Sequence, residues 1–313
     1  MGMIYPVYIK VFNQSVSSFK SILYIKMEPI DTIALSSSLC ICGTVRNCGP
    51  HLEKVFENMF AIGSLFTDFR IIISYDISSD DSLTVLQKLR DQINEQFVPD
   101  KFVLLVNTDL LHDYRVYNIV KARNACLNVI REKFSDYEYF IMMDCDDVCA
   151  EKVNLDVLAR YLDSNLSFID KWDALSFISK PYYDLWAFSK YPYSYGCMHF
   201  KDWHAWGNFI EKIILETPLN ELIPCLSAFN GFAIYKTTKF INCVYEGIPR
   251  YDLIPSHLLK INEKIAGSIW LKGKAALIDC EHRGFHLQAI NQNGSKIRIA
   301  NCELFIPISV PLI

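Results

Sequence analysis

Apolar positions along the first half of the chain alternate between two rhythms. Residues 39–45, LCICGTV, form a short apolar run that breaks at Arg46 and Asn47. After Gly49-Pro50, Leu52, Val55, Phe56, Met59 and Phe60 recur at helical spacing. The unit repeats: RIIISYD (70–76) predicts a strand, SSDDS (78–82) a turn, and Leu83, Leu86, Leu89 and Ile93 one face of a helix. A third strand, KFVLLVNT (101–108), leads through a loop holding His112, Asp113 and Tyr114 to a helix over 116–134. The fourth strand, Tyr139 to Met143, runs straight into Asp144, Cys145, Asp146 and Asp147.

Four strands alternating with three amphipathic helices predict right-handed crossovers and a mainly parallel sheet covered on both faces, an α/β fold. Ligands of such sheets sit outside the carboxyl ends of the strands. The polar residues at those ends are Thr44, Arg46 and Asn47; Asp76 and the SSDD turn; Asn107; and the 144–147 cluster. They are expected to converge on one crevice. Beyond residue 150 the pattern predicts a helix near 154–165, a strand at 173–179, a strand-like run at 225–236 and a strand at 274–282. No linker marks a domain boundary, so a single domain over 1–313 is expected, with halves of about 36–150 and 151–300.

Three carboxylates in four positions at the end of an apolar strand repel one another and resist desolvation. The Asp-x-Asp spacing of Asp144 and Asp146 projects oxygen donors into a common volume, which suits a hard divalent cation, Mn2+ or Mg2+. Such a cation relieves the repulsion and clamps a diphosphate. An acidic turn or helix cap is the plainer explanation of the same residues.

Composition narrows the classes. The chain is 51% hydrophobic and 21% charged, enough apolar content for a sizeable core. A net charge of -4 and a pI near 6.0 leave no basic stripe for nucleic acid, so an acidic ligand must be met locally by a metal or a few Arg and Lys. Eleven scattered cysteines show no zinc-site pairing and point to a reducing compartment. The opening residues 1–20 lack a signal-peptide pattern and no apolar run reaches the ~20 residues of a spanning helix, so a soluble, cytoplasmic protein without a membrane span is expected.

The blocks TVRNCGPHLEKVFENM, ISYDISSDDSLTVLQKLRD, VKARNACLNVI and FIMMDCDDV resemble, in order and spacing, those of the GT-A fold (Rossmann-like) nucleotide-sugar glycosyltransferases. The later stretches YYDLWAFS, SAFNGFAIYK and DCEHRGFH are similar to the capsule-associated α-1,3-mannosyltransferase group and its bacterial and viral relatives. The resemblance implies transfer of a sugar from a UDP- or GDP-sugar to a carbohydrate or glycoconjugate acceptor, on a fold with a C-terminal acceptor-side extension. It implies that Thr44, Arg46 and Asp76 hold the nucleoside, that Arg123 approaches the nucleotide or braces the metal loop, that Asp144 touches ribose or a metal-bound water, and that Asp146 ligates the metal.

The resemblance also implies a late histidine in the metal shell, and here two are available, His282 and His286, either of which is a competent imidazole ligand. Asn230, in FNGF, is placed to meet the donor together with Gly231, which permits close backbone approach. For a catalytic base the candidates are Asp147, Asp184 and Asp252, with Asp202 in the same region. Tyr182, Tyr183, Trp186, Tyr193, Tyr195, Trp203 and Trp206 offer stacking surfaces for an acceptor or, as plainly, core aromatics. Two other functions fit less of the pattern: a nucleotidyltransferase, whose Gly-rich loop with Arg and Lys corresponds here to TVRNCGP, and a silent carbohydrate-binding scaffold, which has no use for the acidic cluster.

Overall fold

The computed structural model describes residues 35–97, 100–166, 168–200, 202–266 and 278–306. The opening segment read above for a leader, and residues 274–277 of the last expected strand, lie outside the described residues.

The first half builds β1 (Leu35–Val45), α1 (Leu52–Gly63), β2 (Phe66–Tyr75), α2 (Ser82–Gln96), β3 (Phe102–Val106), α3 (Arg115–Lys133) and β4 (Tyr139–Asp144). These are the expected elements to within a few residues. The four strands pair in parallel, in the order β3-β2-β1-β4. The second half adds a short β5 (Lys152–Val153), α4 (Leu155–Leu162), β6 (Ala174–Ile178), α5 (Trp203–Glu216), β7 (Leu222–Cys225), β8 (Phe232–Lys236), α6 (Thr237–Phe240), α7 (Ser256–Ala266), α8 (Glu281–Asn293), β9 (Ile297–Glu303) and β10 (Phe305–Ile306).

One eight-stranded sheet, β3-β2-β1-β4-β8-β6-β9-β7, runs through both halves. β8 is antiparallel to β4 and to β6, and β7 is antiparallel to β9, so the other six strands point the same way. The central strands are buried on both faces, and alternate residues feed two cores. Leu39, Ile41, Ile71, Ile73, Ile141 and Met143 pack with Phe56 of α1, Leu89 of α2 and Leu158 of α4. Cys40, Cys42, Ile72, Phe140 and Met142 pack with Leu127 of α3, Trp206 of α5 and Phe285 of α8. The result is a three-layer α/β/α arrangement. Among the described residues no helix is long and apolar enough to cross a membrane.

Two expectations are corrected. The run 225–236 is not one strand: β7 lies at the sheet edge and β8 beside β4, separated by a turn in which Asn230 (φ 55°) and Gly231 (φ 81°) are both left-handed. Two such residues in succession end an extended strand. Residues Glu281 and His282 do not end a strand either. They begin α8, which closes at Gly294 in the left-handed conformation of a helix C-terminus. Every residue from Glu281 to Ala289 is buried, so the helix has no amphipathic stripe from which its period could be read.

Candidate active site

The strand order reverses between β1 and β4, and the register brings Thr44 opposite both Ser74 and Asp144 at the carboxyl ends. The Asp76 amide donates to Val45 O at 2.9 Å, continuing the same edge. A cleft of about 610 Å3 opens above this switch point. Its floor carries Thr44, Arg46, Asp76, Asp144 and Asp146, and its far wall Asp184, Glu281 and His282, with Arg123 between them. Most residues singled out in the sequence therefore meet in one place.

Local hydrogen bonding sets the side of the cleft built from the loops after β1 and β2. The Cys48 amide donates to Ser82 Oγ at 2.9 Å, the Gly49 amide to Asp80 Oδ2 at 2.9 Å, and Asn47 Oδ1 accepts from the Ser79 amide at 2.7 Å. The turn after β2 thus clamps the loop after β1, and Asp80 is a structural acceptor. Asp76, nearly buried, accepts at Oδ1 from Asn107 Nδ2 at 2.8 Å, which fixes the plane of its carboxylate toward the cleft.

Arg123 is the cationic centre of the wall. Only 4% exposed, its Nη2 donates to Asp144 Oδ1 at 3.1 Å, while Nη1 contacts Glu281 and His282 Nε2. The guanidinium also lies over the Phe229 ring, 4.5 Å from its centroid. Burial opposes its charge, but Glu281 and Asp144 outweigh burial and hold it protonated. His282 is driven well below the ordinary histidine range by burial and by Arg123, so it is a neutral ring accepting at Nε2. Its Nδ1 is buried without a hydrogen-bond partner among the described residues.

The carboxylates are raised. Burial pushes Asp144 up to about 7 against the pull of Arg123, with Asp146 and Asp184 adding to the rise. Burial likewise lifts Asp184 to about 6, opposed by the Ala187 amide, which donates to its Oδ1 at 3.1 Å. Asp146 is raised mainly by burial although the Val148 amide donates to it. Arg123 offsets the burial of Asp144 only in part, and a divalent cation would offset more of it. Among the described residues no three His, Cys, Asp or Glu side chains gather closely enough to cage a metal. Asp144 and Asp146, two hard oxygen donors side by side on the cleft, are of the kind that could hold an Mg2+- or Mn2+-type ion completed by ligand oxygens and water, and His282 lines the same cleft.

Other expected residues lie elsewhere. His286 does not line the cleft: it is fully buried, its Nδ1 facing Ser227 Oγ at 3.0 Å and its Nε2 facing Tyr235 Oη at 3.2 Å. Asp252 is outside the cleft and paired with Arg250 at 2.7 Å, a hydrogen-bonded contact that holds its carboxyl below the usual range. Asp202 caps α5 by accepting from the Ala205 amide at 2.8 Å. Asp147, exposed at the start of a single helical turn, does not line the cleft. Asn230 does not line it either; its side chain is turned to the backbone of 177–184. Of the aromatics, Tyr183 and Trp186 reach the cleft, whereas Trp206 is core.

Glu281, Tyr114 and Arg115 are among the cleft residues to which the sequence gives no role. Glu281 was hidden with the helix that carries it, and Tyr114 and Arg115 sit at the N-terminus of α3, where a Tyr-Arg pair carries no pattern of its own.

No protein-family model and no curated protein matches the chain. Solved structures with similar coordinates include S. aureus TarS 1-349, at TM-score 0.42 and 14% identity over 86% of this chain and 59% of that one. The same fragment in complex with UDP-GlcNAc scores 0.41 at 13% identity, over 86% of this chain and 57% of that one. A mannosyltransferase from Pyrobaculum calidifontis, in complex with GDP-Man and Mn2+, scores 0.34 at 13% identity over 80% and 69%. The chain thus spans less than two thirds of the TarS fragment's length. At these scores the likenesses carry no argument, and the functional reading rests on the cleft.

Proposed function

We propose that the chain is a metal-dependent glycosyltransferase that moves a sugar from a UDP- or GDP-sugar to a hydroxyl of a carbohydrate or glycoconjugate acceptor. The observation that carries this reading is the gathering of Asp76, Arg46, Arg123, Asp144, Asp146 and Asp184 around one cleft at the switch point of the sheet.

In this reading Asp76, with its carboxylate held by Asn107, accepts from the base, and Thr44 and Arg46 flank the nucleoside. Asp144 and Asp146 would hold Mn2+ or Mg2+, which when bound neutralises the charge that develops on the departing diphosphate. Arg123 braces Asp144 from behind and keeps its orientation fixed. The acceptor oxygen forms its bond to C1 of the sugar as the bond from C1 to the diphosphate oxygen breaks. The hydroxyl proton passes to Asp184, whose raised pKa of about 6 suits a base working near neutrality. Tyr183 and Trp186 form the wall beside that carboxylate and give the acceptor an aromatic surface.

A donor panel tests the reading. The protein is incubated with Mn2+ and individual UDP- and GDP-sugars, with and without candidate oligosaccharides, and nucleoside diphosphate release is followed. Release from at least one donor, stimulated by an acceptor, is expected. No release from any donor overturns the transferase assignment.

A further inference from the structure

Asn230 is 7% exposed and faces away from the cleft, yet its side chain carries an unusual number of bonds to the loop that bears Asp184. Its Oδ1 accepts from the Tyr183 amide at 3.0 Å and the Asp184 amide at 3.1 Å, and its Nδ2 donates to Phe177 O at 2.8 Å and Ser179 Oγ at 3.1 Å. One carboxamide therefore ties the carboxyl end of β6 to the backbone of Asp184 itself.

The backbone of the same turn reaches the opposite acidic group. Gly231 O accepts from the Asp144 amide at 2.8 Å and from Cys149 Sγ at 3.2 Å. A Cβ on Gly231 would stand 2.5 Å from Val148 Cγ1, so the turn lies directly against the 144–149 segment. Asn230 and Gly231 are consecutive, both left-handed, and β8 follows at once. The pair is a rigid link with Asp184 on one side and Asp144 and Asp146 on the other.

We infer that Asn230 is a positioning residue that sets the place of Asp184 relative to Asp144 and Asp146 across the cleft. The inference rests on the glycosyl-transfer reading above, with Asp184 as proton acceptor. A small misplacement of a reacting group suffices to cost a large factor in rate. The nucleoside side of the cleft, with Thr44, Arg46 and Asp76, lies at the ends of β1 and β2, and the bonds from this turn to the 144–149 segment come from the Gly231 backbone, so loss of the Asn230 side chain is expected to act on turnover more than on nucleotide binding.

The test is a double-mutant cycle between positions 230 and 184, with nucleotide affinity, kcat and melting temperature measured for each variant. Asn230→Gly keeps the left-handed backbone without strain and deletes every side-chain bond. Asn230→Asp keeps an acceptor for the two amides and loses both donated bonds. Asn230→Gly is expected to lower kcat by ~10–100-fold with nucleoside diphosphate affinity within about twofold, and Asn230→Asp to lie between it and wild type. In an Asp184→Asn background, Asn230→Gly is expected to cost little further kcat. An unchanged kcat in Asn230→Gly, or an equal loss with and without Asp184, overturns the inference while leaving wild-type transfer intact. Absence of turnover in wild type overturns the transferase reading, and this inference with it. Should Asn230→Gly not fold, the cycle is read from Asn230→Asp, where an additive loss again overturns it.

Discussion

Arg123, on α3, donates to Asp144 at the end of β4 across 3.1 Å, inside a wall where the guanidinium is 4% exposed. The pair joins the two elements on either side of the sheet's switch point, and Glu281 and His282 of α8 close around the same guanidinium. A buried charge with several partners is sensitive to truncation, because the partners remain behind without it. Arg123→Met is therefore expected to destabilise the fold by ~3–5 kcal/mol, measured by denaturant unfolding. Arg123→Lys retains charge but not the fork that meets Asp144 and Glu281 together, and is expected to be intermediate.

Asp184 supplies a pH signature. Burial first, against the Ala187 amide, raises its folded pKa to about 6, whereas an unfolded aspartate titrates near ~3.9. Between those values the folded state binds more protons than the unfolded one, so this group's contribution to stability is fully present below ~4 and is lost as pH rises through about 6. Thermal melts of wild type and Asp184→Asn are expected to converge below that window and to favour the variant above it. Turnover runs the other way: kcat is expected to rise with pH through about 6 as the base ionises.

The two histidines separate by experiment. His286 is held at both ring nitrogens and lies off the cleft, so His286→Phe is expected to leave nucleotide affinity within about twofold while costing ~1–3 kcal/mol, from the stranded Ser227 and Tyr235 hydroxyls. Calorimetric titration and a melt on the same sample check both halves. A tenfold loss of metal-supported nucleotide binding would instead place His286 at the cation.

Two glycines with positive φ are expected to respond unequally to alanine. At Gly294 (φ 62°) a Cβ meets nothing within 4 Å, so Gly294→Ala is expected to show the conformational cost alone, about 1–2 kcal/mol. At Gly231 the same cost is joined by the approach to Val148, and Gly231→Ala is expected to be the more damaging of the two in urea unfolding.

How much of this was legible in the sequence follows from what each element packs against. β1, β2, β3 and β4 with their helices read clearly because α1 and α2 show one apolar face each, and the acidic end of β4 announced itself by the contrast of Met143 with Asp144. The meeting of Thr44, Asp76 and Asp144 followed from parallel register alone. α8 did not read, since Glu281, His282, Arg283 and His286 all lie on a stretch buried from 281 to 289, and Glu281, Arg283 and His286 meet Arg123, Trp186 O and Ser227, all far away in sequence. Asn230 was assigned to the donor because FNGF looks like a close-approach turn. The turn is there, but its amide faces the loop at 177–184, a pairing about 50 residues distant that no local pattern encodes.

The central claim is that Asp144 and Asp146 form the diphosphate end of a nucleotide-sugar cleft, and calorimetric titration with UDP and GDP in Mn2+ tests it most directly. Wild type is expected to bind one of the two nucleotides saturably, and Asp146→Ala, its circular dichroism spectrum and melting temperature unchanged, to lose that binding. Equal affinity in wild type and Asp146→Ala would contradict the claim.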